Sequence, residues 1–393
     1  MYNDCKVPEI RFEEYEGDWV VDKLGELTDV YDGTHQTPVY TESGITFLSV
    51  ENIKTLTSNK YISIEAFNND FKVYPQKGDV LMTRIGDIGT ANIVESDDVM
   101  AYYVSLALLK KKSLNPYFLK SVIHSEAVRR EIWHRTLHIA FPKKINMNEI
   151  KKVHVVYPVR EEEQSAIGDF FRNLDDTIAL KKQQNEKTLN IKKAMLEKMF
   201  PKKGESVPEI RFEGFTGRWQ RISIGDFAYV NMGQSPDSVN YTDNPNDHIL
   251  VQGNADMKNG WVIPRVWTKQ ITKTARKGDI IISVRAPVGD VGKTAYNAVI
   301  GRGVAAIRGN EFLFQTLIKM NMDSFWDEYS TGSTFDSITS VNLRDAEIVI
   351  PNEEEQTAIG NFFHNLDTLI TAQQQELEKL QNIKTACLNK MFV

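Results

Sequence analysis

VPEIRFEEYEGDW at positions 7–19 returns as VPEIRFEGFTGRW at 207–219, identical at nine of thirteen positions. Two further stretches repeat in the same order. EEEQSAIGDFF at 161–171 returns as EEEQTAIGNFF at 353–363, and NIKKAMLEKMF at 190–200 as NIKTACLNKMF at 382–392. The first pair is offset by 200 residues and the other two by 192, so the material between the markers differs in length by eight residues. Self-similarity over a fixed distance outranks any single segment as an indicator of architecture. The chain is two copies of one unit, with matching frames and diverged inserts.

Each insert reads as mixed α/β. Short apolar or β-branched runs at 45–50 and 249–252 are bounded by Gly, Pro, Asn and Asp, as strands are. KGDVLMTRIGDIG at 77–89 aligns with KGDIIISVRAPVGDVG at 277–292, a turn followed by a buried strand. A helix is predicted over 114–133, opened by Asn115 as N-cap and Pro116 at the first helical position, with 311–329 as its counterpart. Each insert closes on a strand that ends in proline, HVVYP at 154–158 and EIVIP at 347–351.

The repeated tails read as long helices. Ile167, Phe170, Phe171, Leu174 and Ile178, then Leu189, Met195, Leu196 and Met199, fall at helical spacings, as do Ile359, Phe362, Phe363, Leu366, Ile370, Leu377, Leu380 and Met391. Glu161–Glu163 and Glu353–Glu355 put negative charge where the helix dipole favours it. About 40 residues of helix reach roughly 60 Å. Lys181, Asn185 and Gln373 interrupt the apolar stripe, which predicts pairing in one register. The first helix runs on into the second VPEIRFE motif. If the motif at 7–19 docks near Val393, the chain closes into a ring of approximate two-fold symmetry, with antiparallel helices and the inserts at opposite ends. The expected fold class is therefore α/β (α+β): two globular domains joined by two long helices in an antiparallel coiled coil, a pseudo-two-fold internal repeat. In chain order the expected segments are 1–158, 159–206, 207–351 and 352–393, alternately globular and helical.

Bulk composition is that of an ordinary globular protein, 41% apolar and 25% charged. No apolar run is long enough to span a membrane, and the N-terminal stretch has no secretory h-region. Two isolated cysteines, Cys5 and Cys387, fit a reducing, cytoplasmic setting. The net charge of −6 sits on the frame: residues 1–19 carry −4 and 351–393 carry −3, whereas 20–157 sum to +1 and 220–350 to −1. Inserts this close to neutral would hold a polyanion such as nucleic acid only weakly alone and would rely on partners for phosphate contacts.

Three catalytic-looking strings fail on their chemistry. GDVGKT at 289–294 ends like a phosphate loop, but Pro287 stands where the pattern needs glycine. NPYF at 115–118 is accounted for as a helix cap. His134 and His138 have metal-ligand spacing on a helix, yet Arg135 holds the position where a metalloprotease needs Glu, and no third ligand can be named. No active site and no metal site is expected.

The doubled lead-in "VPEIRF…W", the doubled "EEEQ…IG.FF..LD" at 161–175 and 353–367, the "IKK/T……KMF" helix ends and the Lys-Gly-Asp turn in each insert span essentially the whole chain. In this doubled order the chain resembles the DNA-specificity subunits of type I restriction–modification systems. The resemblance implies a non-catalytic subunit that binds double-stranded DNA. Its inserts would be target recognition domains, each reading half of a split asymmetric site, and its helices a spacer. It further implies two methyltransferase subunits carrying S-adenosylmethionine, with no cofactor on this chain, and motor-nuclease subunits for cleavage.

Direct readout needs polar side chains on loops that can enter a groove. Tyr31, Thr34, His35 and Gln36 belong to a Gly-centred polar stretch after the lead strand, with Asn231, Gln234 and Ser235 as the positional counterpart. Arg84 and Arg285 lie at the ends of the strands after Lys-Gly-Asp. Lys143 and Lys144, with Ser333 and Thr334 in the second insert, lie in loops before the closing strand; for the lysines a phosphate contact or solubility is expected over base readout. One rival reading is the recognition subunit of another methylase–nuclease. Another is a coiled-coil scaffold whose two domains bind protein or glycan instead of DNA.

Overall fold

The computed structural model describes residues 7–329 and 337–393. The chain falls into two compact units, Met1–Lys182 with Glu376–Val393, and Gln183–Gln375. These cut across the four segments of chain order, because each unit takes the first half of one long helix and the last part of the other.

In the first unit a four-stranded antiparallel sheet runs Asp29–Asp32, Leu106–Lys110, Val80–Ile85, Asp87–Ile93. A three-stranded sheet pairs Ile45–Leu48 antiparallel to Tyr61–Ile62 and parallel to Met100–Tyr102. The strand after Lys-Gly-Asp explains why both faces are covered. Val80 and Met82 point into a core with Phe118, Leu119 and Val122, and Leu81 into another with Phe47 and Tyr102. Alternation of period two divides one apolar run between two cores.

The second unit repeats this plan. Ile280 and Ile282 share a core with Leu313 and Leu317, and Ile281 one with Val251 and Ile300. Its sheets are larger, six and five strands. After the strand Tyr61–Ile62 the first insert makes the helix Ile64–Asp70, whereas after Val266–Thr268 the second makes a strand, Lys273–Ala275. Each insert is closed by an antiparallel ribbon, Val20–Lys23 on His154–Tyr157 and Gln220–Ser223 on Glu347–Ile350.

The helix predicted over 114–133 is broken. Pro116–His124 is capped by Asn115 as expected, but Ser125 adopts an extended conformation (φ −63°, ψ 154°) and its hydroxyl caps a new helix, Glu126–His134. A serine that can bond the backbone locally competes with helix continuation. Glu311–Met322 likewise stops before a 3-10 turn, Phe325–Tyr329.

The long helices span Glu161–Met199 and Glu353–Lys390. In the first unit Lys384 pairs with Asp175 at 2.5 Å and Lys181 with Glu376 at 2.9 Å. In the second, Lys192 pairs with Asp367 at 2.6 Å, and Asn185 Nδ2 donates to the Ile370 carbonyl at 3.4 Å. Partner numbers fall as helix numbers rise, so the pairing is antiparallel. Lys384–Asp175 and Lys192–Asp367 are the same pair in the two copies.

The repeated motif anchors each unit to a helix end. Arg11 donates to both carboxylate oxygens of Glu163, at 2.7 and 2.9 Å, and Arg211 to those of Glu355, both at 2.6 Å. Glu163 and Glu355 are buried. These third glutamates are thus the acceptors of a bidentate clamp, a stronger role than the dipole placement expected of them. Ile10 N donates to the Lys390 carbonyl and Trp19 packs on Phe392; Ile210 N donates to the Lys198 carbonyl and Trp219 packs on Phe200. The N-terminal motif therefore docks on the end of the second helix, as the repeat predicts. Gly168 lets the first helix approach the cap of Pro116–His124: a Cβ there would lie 2.8 Å from the Phe118 amide nitrogen.

Candidate nucleic-acid interface

The Gly-centred loops are built alike. A Cβ on Gly33 would meet the Tyr103 carbonyl at 2.5 Å, and one on Gly233 the Gly301 carbonyl oxygen at 2.1 Å. Close backbone approach explains glycine at both positions. Thr34 N then donates to the Tyr102 carbonyl, and Gln234 N to the Ile300 carbonyl. His35 and Gln36 project from the first loop and Gln234 from the second. His35 Nε2 lies 2.9 Å from Asp32 Oδ2.

Two residues assigned to these loops belong to strands instead. Tyr31 pairs with Leu108, and Asn231 with Ala306. Asn231 Nδ2 is engaged by the Thr274 carbonyl at 2.9 Å. Tyr31 is exposed on its sheet. The loops begin one residue after Asp32 and Met232, where glycine ends the pairing.

Arg84 is corrected outright as a base-contact candidate. It is 5% exposed. Its guanidinium donates to the carbonyls of Ile145 and Val104 at 3.2 and 2.6 Å and to Asp32 Oδ1 at 3.1 Å. Burial is the leading influence on it and pushes its pKa down, with Asp32 opposing. The residue ties together three segments: the strand end before the His35 loop, the turn at 103–105 and the foot of the loop at 137–144. Its backbone equivalent is Val284. Arg84 N donates to Ser105 O as Val284 N does to Gly303 O, and Ile145 and Ile338 donate to their two carbonyls.

Arg285 is exposed, and it lines a polar cleft of about 500 Å³ with Ser235, Asp237, Gln252, Asn254 and Arg302. Ser235 Oγ accepts from Arg302 N at 3.1 Å. The cleft brings Ser235 and Arg285 together, and adds Arg302, Gln252 and Asn254, which sequence reasoning missed. The overlooked signal is Arg302 between two glycines. A Cβ on Gly303 would come within 2.1 Å of the Gln252 carbonyl oxygen, so that arginine is held against the strand end at 251.

Lys143 and Lys144 are exposed beside the loop foot, where Leu137 pairs with Lys144 and Gly86 N donates to the Lys143 carbonyl. Lys143 Nζ sits 4.7 Å from the centre of the Trp133 ring. His138 turns back onto the same tryptophan, with Nε2 3.0 Å from the Trp133 carbonyl. Ser333 and Thr334 lie outside the described residues. Among the described residues no cluster of three metal-ligating groups occurs, and no helix is long and apolar enough to cross a membrane.

The family model for the type I restriction modification DNA specificity domain matches twice, at residues 16–190 and 217–382. The chain belongs to the type I restriction–modification DNA specificity family. Among its relatives is the putative type I restriction enzyme MjaX specificity subunit of Methanocaldococcus jannaschii, 28% identical over 334 residues, covering 80% of this chain and 77% of that one. The MjaIX specificity subunit of the same organism is 27% identical over 122 residues, 30% of this chain and 28% of the other. In fold, the chain is similar to the type I restriction-modification S subunit from M. genitalium (TM-score 0.71, 14% identity, 98% and 99% covered). It is also similar to a chain from work on complex assembly and conformational transition of the type I R-M system (TM-score 0.56, 21% identity, 95% and 97% covered). As a specificity subunit the protein is non-catalytic, and its role is DNA sequence recognition. The two matches of the specificity model fall on the two copies of the repeat.

Proposed function

We propose that this specificity subunit reads a split, asymmetric DNA site, one half-site per globular domain, and that the paired helices set the gap between the halves. The contrast between frame and readers carries the reading. The clamps Arg11–Glu163 and Arg211–Glu355 and the pairs Lys384–Asp175 and Lys192–Asp367 repeat residue for residue. At corresponding loop positions the copies differ: His35 and Gln36 stand against Ser235 and Pro236. A repeated frame suits two copies of one partner, and unlike readers suit two unlike half-sites. Half-sites read from one DNA face lie about 34–36 Å apart, and a helix of this length reaches about 60 Å.

Two methyltransferase subunits dock on the frame and bring S-adenosylmethionine for adenine methylation; motor-nuclease subunits add cleavage. The near-neutral inserts leave most phosphate neutralisation to these partners, so tight DNA binding belongs to the complex. The test is to purify the chain from its host with whatever accompanies it and to map methylated adenines in that genome. A two-part motif with a fixed gap, lost when the gene is deleted, is expected. A methylome that deletion leaves unchanged overturns the reading.

A further inference from the structure

The loop between Leu137 and Lys144 carries two large apolar side chains, Ile139 and Phe141, that are fully exposed. Exposed apolar residues of this size on one short loop need a purpose. Their surroundings say which partner suits them. From Ile132 to Asn148 the sequence has no Asp or Glu; Arg135 is paired with the flanking Glu131 and Glu149, and Lys143 and Lys144 carry the positive charge at the loop itself. In a chain of net charge −6 this is a local cationic segment. Such a setting attracts a polyanion and discourages burial against an ordinary protein core.

The loop is also firmly rooted. Leu137 N donates to Lys144 O at 2.8 Å, Gly86 N to Lys143 O at 2.9 Å and Ile145 N to Arg84 O at 3.0 Å. Lys143 and His138 both lie against Trp133, with ring centres of His138 and Trp133 4.3 Å apart. The buried Arg84 guanidinium bonds the Ile145 carbonyl at the loop's foot and also Asp32, which holds His35. The two loops share one footing.

We propose that Phe141, flanked by Ile139, is a wedge that inserts between stacked bases of the half-site read by the first domain, with Lys143 and Lys144 on the adjoining phosphates. Apolar wedges of this kind unstack a base step and kink the duplex, and their cost depends on the step, which makes them contributors to specificity. This rests on the DNA-recognition reading above.

The test uses the complex as purified from its host and a duplex bearing its own methylated motif. Thymines are probed with permanganate, which reports unstacking, and duplex bending by energy transfer between labelled ends. Phe141→Ala is expected to remove permanganate reactivity in one half-site, reduce the bend and raise Kd by about ten-fold or more. Phe141→Trp should retain all three. Lys143→Ala with Lys144→Ala should lower the salt dependence of binding without restoring stacking. If the wild-type complex shows no sequence-specific binding, the recognition reading falls and the wedge with it. If the wild type binds its site and Phe141→Ala matches it in reactivity, bend and affinity, the wedge alone is overturned. Loss of the co-purifying subunits from Phe141→Ala, with DNA stacking unaltered, would make the loop a protein contact and also overturn it.

Discussion

Counted from Lys-Gly-Asp, Arg84 lies one position earlier than Arg285, and along extended chain one position is a change of face. Lys-Gly-Asp occupies 77–79 and 277–279, so Arg84 corresponds to the buried Val284 and Arg285 to Ile85. That count was legible in the sequence; the carbonyls of Val104 and Ile145 that receive the buried guanidinium were not, being distant in the chain. Arg84→Ala leaves buried acceptors unpaired and is expected to cost about 2–3 kcal/mol of stability, read as a lower urea midpoint. Arg285→Ala should leave the midpoint unchanged and relax discrimination in the other half-site by about 1–3 kcal/mol, read from the methylome. Equal unfolding midpoints for the two variants would contradict this assignment. His124 is a second residue whose role is set by burial. Its Nε2 accepts from Ala91 N at 3.1 Å, and burial, helped by Lys384 and Lys120, pushes its pKa down to about 4. The unfolded chain therefore binds a proton that the folded one refuses. Stability is fully present above about pH 6.5 and is lost as pH falls from there toward 4, by up to about 3 kcal/mol. His124→Gln, whose amide oxygen can accept the same bond, should show a smaller loss in urea midpoint between pH 7 and 4.5. An identical loss would assign the acid sensitivity elsewhere.

The long helices were legible as elements because period and repetition agreed over some 38 residues. Their partners were less so. Lys181 and Asn185, read as setting one register but with no partner named, contact Glu376 and the Ile370 backbone across the pair. The break at Ser125 was hidden because apolar residues continue through it at helical spacing; only the serine's ability to cap Val128 marks the boundary. Matched removal of one turn from both long helices, within 178–192 and 365–380, preserves antiparallel pairing and shortens each helix by about 5.4 Å. The expected methylome keeps both half-site sequences and changes the gap between them. Methylation at the original gap would refute a ruler role for the helices.

For the molecule as a whole, the repeat made the closure of frame on frame readable, since the 7–19 motif had to find an equivalent of the helix end that 207–219 already adjoins. The different sheet sizes of the inserts were not readable, because two-residue strands such as Met257–Lys258 and Trp261–Val262 carry no period. Closure also sets an order of events during synthesis. The first unit's main core includes Trp19, Phe118 and Phe171 together with Met391 and Phe392. Residues 183–375, the complete second unit, are made before those last two side chains exist. At about 5–20 residues per second, the N-terminal domain waits for roughly ten seconds or more with an aromatic socket unfilled. The domain translated first is thus the one that matures last, and a chain ending at residue 375 and released from the ribosome should hold a finished second unit and an open first one.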